Sequence, residues 1–371
     1  MLVLDNKEVA QILDMESCLK VLEKAAYDIA ADEAVARPAT TLVMPKLQAS
    51  GLPGAYQLQS REGVARSVKM AACRLISDNL AFQSLPDGTV RRKKIPTAKG
   101  ERYIGLILLF DTESGELVSM FPDAEIQRRR VAGTGALVSK YVSRPDAKTL
   151  GLLGSGWQAE VAIKAHSMVR DLSRVLVFSP NRDHRETFVH SMKDQVAFPV
   201  QAVDTAAEVI TQSDVLVAIT DAIGAVIDGR MVKPGTHITL SRYFELDEMG
   251  WKKCDLIIEG ARAKDGDPSY WSKQIWDNRF VVGGREKMKG TSLAFRSSDF
   301  ATTNSRHVAF PDLLLGDQPG RQSDQEISCF YISNPSGVQL AHLGSLIVEQ
   351  AKRLGMGHNL PSEWFSEQER D

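Results

Sequence analysis

The sequence lacks any apolar run approaching the roughly 20 residues that a membrane-spanning helix needs. Its first residues, MLVLDNKEVAQILD, lack a basic region followed by an apolar one, so no secretory signal is visible. Charge of one sign is also missing. Lysine and arginine number 45 against 47 aspartates and glutamates, a net charge of -2, which favours neither a nucleic-acid binder nor a polyanion trap. Cysteine is scarce. Cys18, Cys73, Cys254 and Cys329 lie far apart with no CxxC pair, as expected of reduced thiols in a cytoplasmic protein. Metal motifs are absent too: the seven histidines are scattered without HExxH, and DQPGRQSDQE (317–326) lacks the spacing of a calcium loop. No GxSxG or Cys/His pairing suggests acyl transfer.

What is present fits a globular protein of two domains, given 371 residues of which 43% are hydrophobic and 25% charged. Residues 7–31 carry apolar side chains at helical spacing and read as two short helices. From 38 to 120 the pattern turns strand-like, with TTLVMP, GAYQLQS, ARSVKMAAC, RYIGLILLFD and ELVSMF as short β-rich runs and a hairpin turn at Thr112 to Gly115. Between them, residues 84–102 are polar and basic, and read as an exposed loop or ribbon whose Arg91, Arg92, Lys93 and Lys94 are solvated. DAEIQRRRVAGTGALVSKYV reads as a helix capped by Asp123. Strands and helices then alternate from TLGLLG to DLIIEG, a rhythm that argues for a parallel sheet covered by helices. A last helix covers VQLAHLGSLIVEQAKRLGMG.

The stretch LGLLGSGWQAEVA carries the most specific chemistry. An apolar strand ends in Gly154-Ser155-Gly156-Trp157-Gln158-Ala159, and a helix and a second strand follow. In a dinucleotide-binding turn the first glycine permits the tight bend. The second lets the backbone approach a pyrophosphate, and the third small residue lets helix pack on strand. An NAD site usually places an acid at the end of the second strand. Here Ser179, Pro180 and Asn181 stand there, followed by Arg182 and Arg185, which suit a 2′-phosphate. The balance points to NADP, with NAD as the alternative. The plain alternative for the two arginines is a solvated helix start.

Beyond this turn the chain resembles the ornithine cyclodeaminase/mu-crystallin family. The resemblance runs in order through ARPATTLVMP, ARSVKM, LILLFDTESGELVSMF, IQRRRVAGTGALVSKYV, RPDAKTLGLLGSGWQA, VKPGTHI and GDQPGRQSDQEISCFYISNPSGVQLAHL. It implies an α/β fold: a Rossmann dinucleotide-binding domain (128–317) and a second α+β domain for substrate binding and dimerisation (1–127 with 318–371). It also implies a homodimer, with no nucleic-acid or membrane partner. The family's carboxylate-binding arginine falls on Arg130, its early arginine on Arg37 and its lysine on Lys69. A guanidinium fork suits a carboxylate, and a lysine beside it can add charge or move a proton. The family's aspartate after the DVLVAIT strand falls near Thr220-Asp221, where Asp221 is either the proton-transfer group or a strand-end cap. Three departures stand out: Arg242, after Ser241, replaces a common glycine; His342 replaces an aspartate near the nicotinamide; and the 84–102 insert is long. Arg242 either meets a second acidic group of the substrate or points to solvent.

The resemblance implies an NAD(P)-dependent oxidoreductase acting on the C–N bond of an amino or imino acid. Arg37, Lys69 and Arg130 would hold the carboxylate, Lys69 or Asp221 would move the proton, and no metal would take part. Two alternatives stand beside it. One is a cyclodeaminase that uses NAD⁺ catalytically and releases ammonia. The other is a mu-crystallin-like binding protein without turnover.

Overall fold

Strand and helix alternate through the middle of the chain, and antiparallel strands precede them, so two sheets form. The computed structural model describes residues 1–37, 39–47, 51, 53–84, 90–97, 103–260, 280–282, 304–332 and 335–367. The first sheet has ten strands. Its main path runs Phe280–Val282, Thr40–Leu47, Pro53–Ala65, Met70–Ser84, Ile104–Asp111, Leu117–Pro122, Leu2–Val3 and His358–Asn359. From Thr40 to Pro122 it is antiparallel throughout. Along Met70–Ser84 the buried residues Ala72, Arg74, Ile76, Asp78 and Leu80 recur with period two, the signature of a strand with one face inward.

The second sheet has eight strands in the order Val200–Ala202, Arg174–Phe178, Thr149–Leu153, Val215–Ala218, His237–Leu240, Ser328–Tyr331, Leu256–Glu259 and Arg306–Ala309. All its pairings are parallel. Thr149–Leu153, Val215–Ala218 and His237–Leu240 are buried at every position, because helices cover both faces. The chain starts this sheet at its middle, works outward through two strands, then returns to the other side of Thr149–Leu153. That reversal is a topological switch point, where ligand crevices of open α/β sheets lie.

The helix Ala124–Val142 ties the two layers together, packing on Met15–Ala30 and on Ala159–Ser167. The C-terminal helix Ser336–Leu354 lies across the strands Pro53–Ala65 and Met70–Ser84 and against Met15–Ala30. It ends at Gly355, which adopts a left-handed φ of 64°. The N-terminal helices are Asn6–Ile12, with a capping box from Asp5 and Glu8, and the longer Met15–Ala30, capped by Asp14.

Several details differ from expectation. The ARSVKMAAC run is not one strand: a 3₁₀ turn at Arg66–Val68 interrupts it and Lys69 sits at φ 54°, in left-handed backbone. The basic run Val90–Ile95 is a strand paired with the end of Met70–Ser84, and Lys94 closes on the buried Asp78 at 2.7 Å. Residues 85–89 and 98–102 of that insert lie outside the described residues. The expected boundary at 317 falls before Ser328–Tyr331, an interior strand of the parallel sheet, and Phe280–Val282 pairs with Thr40–Leu47 of the other sheet.

Candidate active site

The glycine turn leaves the end of Thr149–Leu153 at the switch point. Gly154 has φ +110°, and a Cβ there would lie 2.6 Å from the carbonyl oxygen of Ile219 on the adjacent segment, so no other residue fits. Its N–H donates to Phe178 O at 2.8 Å, which fixes the bend between two strand ends. A Cβ on Gly156 would meet nothing within 4 Å, leaving open space where a pyrophosphate would approach. Gln158 precedes the helix Ala159–Ser167 and provides no side-chain cap; Ala159 N–H is taken by Gly156 O at 2.9 Å, and the start of the helix carries the positive end of its dipole, which suits an anion. Ala159 is fully buried under the turn. The exposed Trp157 is held from the side by Arg128, whose guanidinium lies 5.4 Å from the ring centroid and donates to Trp157 O at 2.7 Å.

At the end of the second strand, Ser179 is buried and its Oγ lies 2.9 Å from Ser155 Oγ, linking this strand end to the glycine turn. Asn181 caps the next helix, accepting from His184 N–H at 2.9 Å. Arg182 is exposed and paired with Glu186 at 2.7 Å. Arg185 is different: it is buried, donates to Ser179 O and to Asp204 Oδ1, and lies over the Phe178 ring. Its fork is engaged in holding the strand end, which takes it out of the expected 2′-phosphate role.

The third corner is organised by a residue that carried no signal in the sequence. Glu245 is fully buried between two strand ends. Its Oε1 accepts from Thr220 N–H and hydroxyl at 2.9 and 2.8 Å, and its Oε2 accepts from Arg242 N–H at 2.8 Å. Burial raises its pKa above the usual carboxylate range. Arg242 is braced locally, donating to Ala222 O at 3.1 Å with its guanidinium 5.8 Å from the Phe244 ring centroid. Ser241 N–H donates to Ala218 O at the start of this corner. Asp221 is exposed beside Thr220, two residues beyond the Ile219 carbonyl that abuts Gly154.

A separate group of residues forms a face of arginines. Arg130, on Ala124–Val142, is buried and donates to Gln127 Oε1 at 2.8 and 3.2 Å and to Gln339 Oε1 at 3.3 Å. Two more guanidiniums act on it, from Arg61 and Arg74. These two stand opposite one another in the antiparallel register, so both point to the same face. Arg74 is buried and bound to Asp123 by Nε at 2.6 Å and Nη2 at 2.5 Å. Arg61 reaches Ser336 Oγ at 3.2 Å, and Tyr331 at the end of its parallel strand also bears on it. The C-terminal helix comes this close because glycines face each other: a Cβ on Gly63 would lie 2.3 Å from Gly337 backbone. Burial, with repulsion among the three, lowers Arg130 well below its ordinary value and Arg61 to about 10. Guanidiniums keep their proton in protein interiors, and Asp123 partly offsets the push on both residues.

Arg37 and Lys69 are not brought to this face. Arg37 pairs with Glu62 at 2.5 and 3.0 Å, and Glu62 follows Arg61 on the strand, so this pair occupies the opposite face. Lys69 is largely exposed and its ammonium lies 2.8 Å from Glu113 Oε1.

The model of the ornithine cyclodeaminase/mu-crystallin family matches residues 92–334. The chain belongs to this family. It is 25% identical over 315 residues to the ketimine reductase mu-crystallin of Macropus fuliginosus, covering 81% of this chain and 93% of that one. It is 23% identical over 265 residues to a Delta(1)-pyrroline-2-carboxylate reductase of Bacillus cereus (strain ZK / E33L), covering 69% and 74%. Among solved structures, the Thermococcus litoralis Delta(1)-pyrroline-2-carboxylate reductase in complex with NADH and L-proline aligns with a TM-score of 0.72 at 20% identity, over 97% of this chain and 100% of that one. At that identity it shows the fold, a mixed α/β architecture with a Rossmann-like dinucleotide-binding layer.

Within this family member, His342 takes a structural place. It is buried and its Nε2 lies 2.9 Å from Asp28 Oδ2, which also accepts from Ser67 Oγ. That pair joins the C-terminal helix to Met15–Ala30 and does not bring His342 to the glycine turn. Arg61, Arg74, Asp123 and Gln339 are the members of the arginine face not expected from sequence. Arg74 left one trace, a charge at an inward position of the alternation Ala72, Arg74, Ile76.

Proposed function

We propose that this chain is an NAD(P)-dependent oxidoreductase that reduces the C=N bond of an imino acid bearing a carboxylate. The observation that carries this reading is the pairing of an open, uncapped glycine turn with a buried arginine face. The relatives include Delta(1)-pyrroline-2-carboxylate reductases, ketimine reductases and an alanine dehydrogenase, which supports an oxidoreductase acting at a C–N bond.

The dinucleotide, when bound, supplies a hydride. Gly154 to Ala159 would hold its pyrophosphate, and Ser155, Ser179, Thr220 and Ser241 would supply further contacts to it. Arg130 clamps the substrate carboxylate with its fork, and Gln127 and Gln339 keep that fork in place. Holding the carboxylate fixes the imine carbon against the hydride donor, which is where an enzyme of this type gains most of its acceleration. The bound dinucleotide would supply the hydride to the imine carbon, and a side chain of this protein would supply the proton to the nitrogen, giving the amino acid. Asp221 at the strand end is the proton-handling group in this reading, and Lys69, paired with Glu113, takes no part. The exposed Arg182 and the absent acid favour NADPH over NADH.

A homodimer is part of the proposal. Val35, Leu42, Met44, Tyr56 and Val64 share the outer face of the antiparallel sheet and are exposed, an apolar row that a second copy would cover. The test is oxidation of NADPH and NADH with 2-oxo acids plus ammonia or methylamine, and with preformed cyclic imines. Turnover with a preference for NADPH supports the reading. Ammonia release from a diamino acid without net cofactor oxidation would replace it with the cyclodeaminase.

A further inference from the structure

Resting on the reductase reading above, we propose that the substrate carries a second carboxylate and that Arg61 recognises it. Two of the three guanidiniums on the arginine face already have a task. Arg74 is matched by Asp123 through two short contacts of 2.6 and 2.5 Å. Arg130, braced by two glutamines, takes the carboxylate next to the imine. Arg61 is the third. Its side chain is partly buried and its guanidinium is held in the same face, by the register that sets it opposite Arg74.

Among the described residues Arg61 hydrogen-bonds to neutral groups, Ser336 Oγ at 3.2 Å and Gln59 Oε1 at 3.4 Å. The first distance is at the upper limit for N–H···O bonds and the second is beyond it. Asp123 is the anion that acts on Arg61, and its carboxylate is bound directly to Arg74. A planar fork of five donors, held beside two other cations and met directly by a hydroxyl and an amide, has room for a carboxylate of its own. Ser336 is also the first residue of the 19-residue helix Ser336–Leu354, so the positive end of that helix adds to the field. Tyr331 places the same spot at the carboxyl edge of the parallel sheet, the edge from which the glycine turn departs. A substrate spanning from Arg130 to Arg61 therefore keeps its reacting carbon on the cofactor side. Arg242, the other arginine considered for such a role, is engaged by Ala222 O.

The test compares substrates of equal chain length with the wild-type enzyme and NADPH or NADH. Oxaloacetate and 2-oxoglutarate, each with ammonia, are set against 2-oxobutanoate and 2-oxopentanoate with ammonia. We expect kcat/KM to favour a diacid by about 100-fold, the scale of a buried ion pair. Arg61→Gln should bring the diacid-to-monoacid ratio close to one, and Arg61→Lys should restore part of it. These two variants report a ratio on one folded protein, so a general loss of stability does not mimic the result. Turnover of monoacids with no diacid preference would overturn the inference and leave the reductase intact, as would an Arg61→Gln variant that keeps the ratio. No turnover with any imine would overturn both.

Discussion

The glycine turn and the arginine face are built by opposite means. The turn is local. Gly154, Gly156 and Ala159 lie within six residues, and each is explained by what its own backbone must do. The arginine face is assembled from Arg61 and Arg74 on two strands, Arg130 on a helix and Ser336 at the start of another. No single segment contains it. The proposed dinucleotide site is written in contiguous sequence. The proposed substrate site is written in register.

That contrast breaks most visibly at Gly154. Alanine there must adopt left-handed backbone, at about 1–2 kcal/mol, and collide with Ile219 O. Together these reach roughly 3 kcal/mol, so Gly154→Ala should weaken NADPH binding about 100-fold by calorimetry while the arginine face keeps its structure. Wild-type affinity in that variant would remove the turn from the site.

The corner at Glu245 gives the next effect. Glu245→Ala leaves the Thr220 and Arg242 N–H groups buried without acceptors, at about 1–3 kcal/mol, and frees the loop at the nicotinamide end. Denaturant unfolding should show the loss, and kcat should fall more than cofactor affinity. An unchanged kcat would make Glu245 a purely structural residue.

Acid should separate the two regions as well. Burial lowers His166 to about 4, and it lowers His237 well below the ordinary histidine value. Both belong to the parallel-sheet layer. These histidines stay neutral when folded, while the unfolded chain takes up protons below about 6.5. Their contribution is therefore complete above pH 6.5 and is lost as pH falls toward 4, by up to about 1.4 kcal/mol per pH unit for each. Unfolding midpoints measured from pH 7 to 4.5 should fall along that slope, and His166→Gln should flatten it. A flat wild-type profile would contradict the neutral burial of these rings.

The smallest effect is at the second strand. Arg182→Ala should raise the KM for NADPH several-fold without altering that for NADH, since its pairing with Glu186 is an exposed one worth under about 1 kcal/mol. Arg185→Ala should lower stability and leave the cofactor ratio alone, because its guanidinium holds Ser179 O and Asp204. An altered ratio in Arg185→Ala would return that residue to the phosphate site.

Legibility in the sequence followed the same division. The alternating strands and helices from Thr149 onward, the hairpin at Thr112 to Gly115 and the C-terminal helix all follow from local pattern. Arg130 was legible because it belongs to a motif on one helix. Lys69 was drawn to the site by the family resemblance alone; the strand pattern of its neighbours Val68 and Met70 pointed to solvent, and the 3₁₀ turn at Arg66–Val68, which ends one strand before Lys69 and begins the next after it, leaves it exposed beside Glu113. In a strand a shift of one residue exchanges the faces. That turn sets Arg61 opposite Arg74 and leaves Lys69 at the surface. Glu245 was illegible because its partners are backbone N–H groups of two separate strand ends.

The most direct test places Arg130→Lys beside Lys69→Ala in imine reduction. Lysine at 130 keeps the charge and removes the fork. This account predicts that kcat/KM falls at least about 100-fold in Arg130→Lys, with cofactor affinity unchanged, and stays within about threefold of wild type in Lys69→Ala. Activity lost in Lys69→Ala and kept in Arg130→Lys would contradict it.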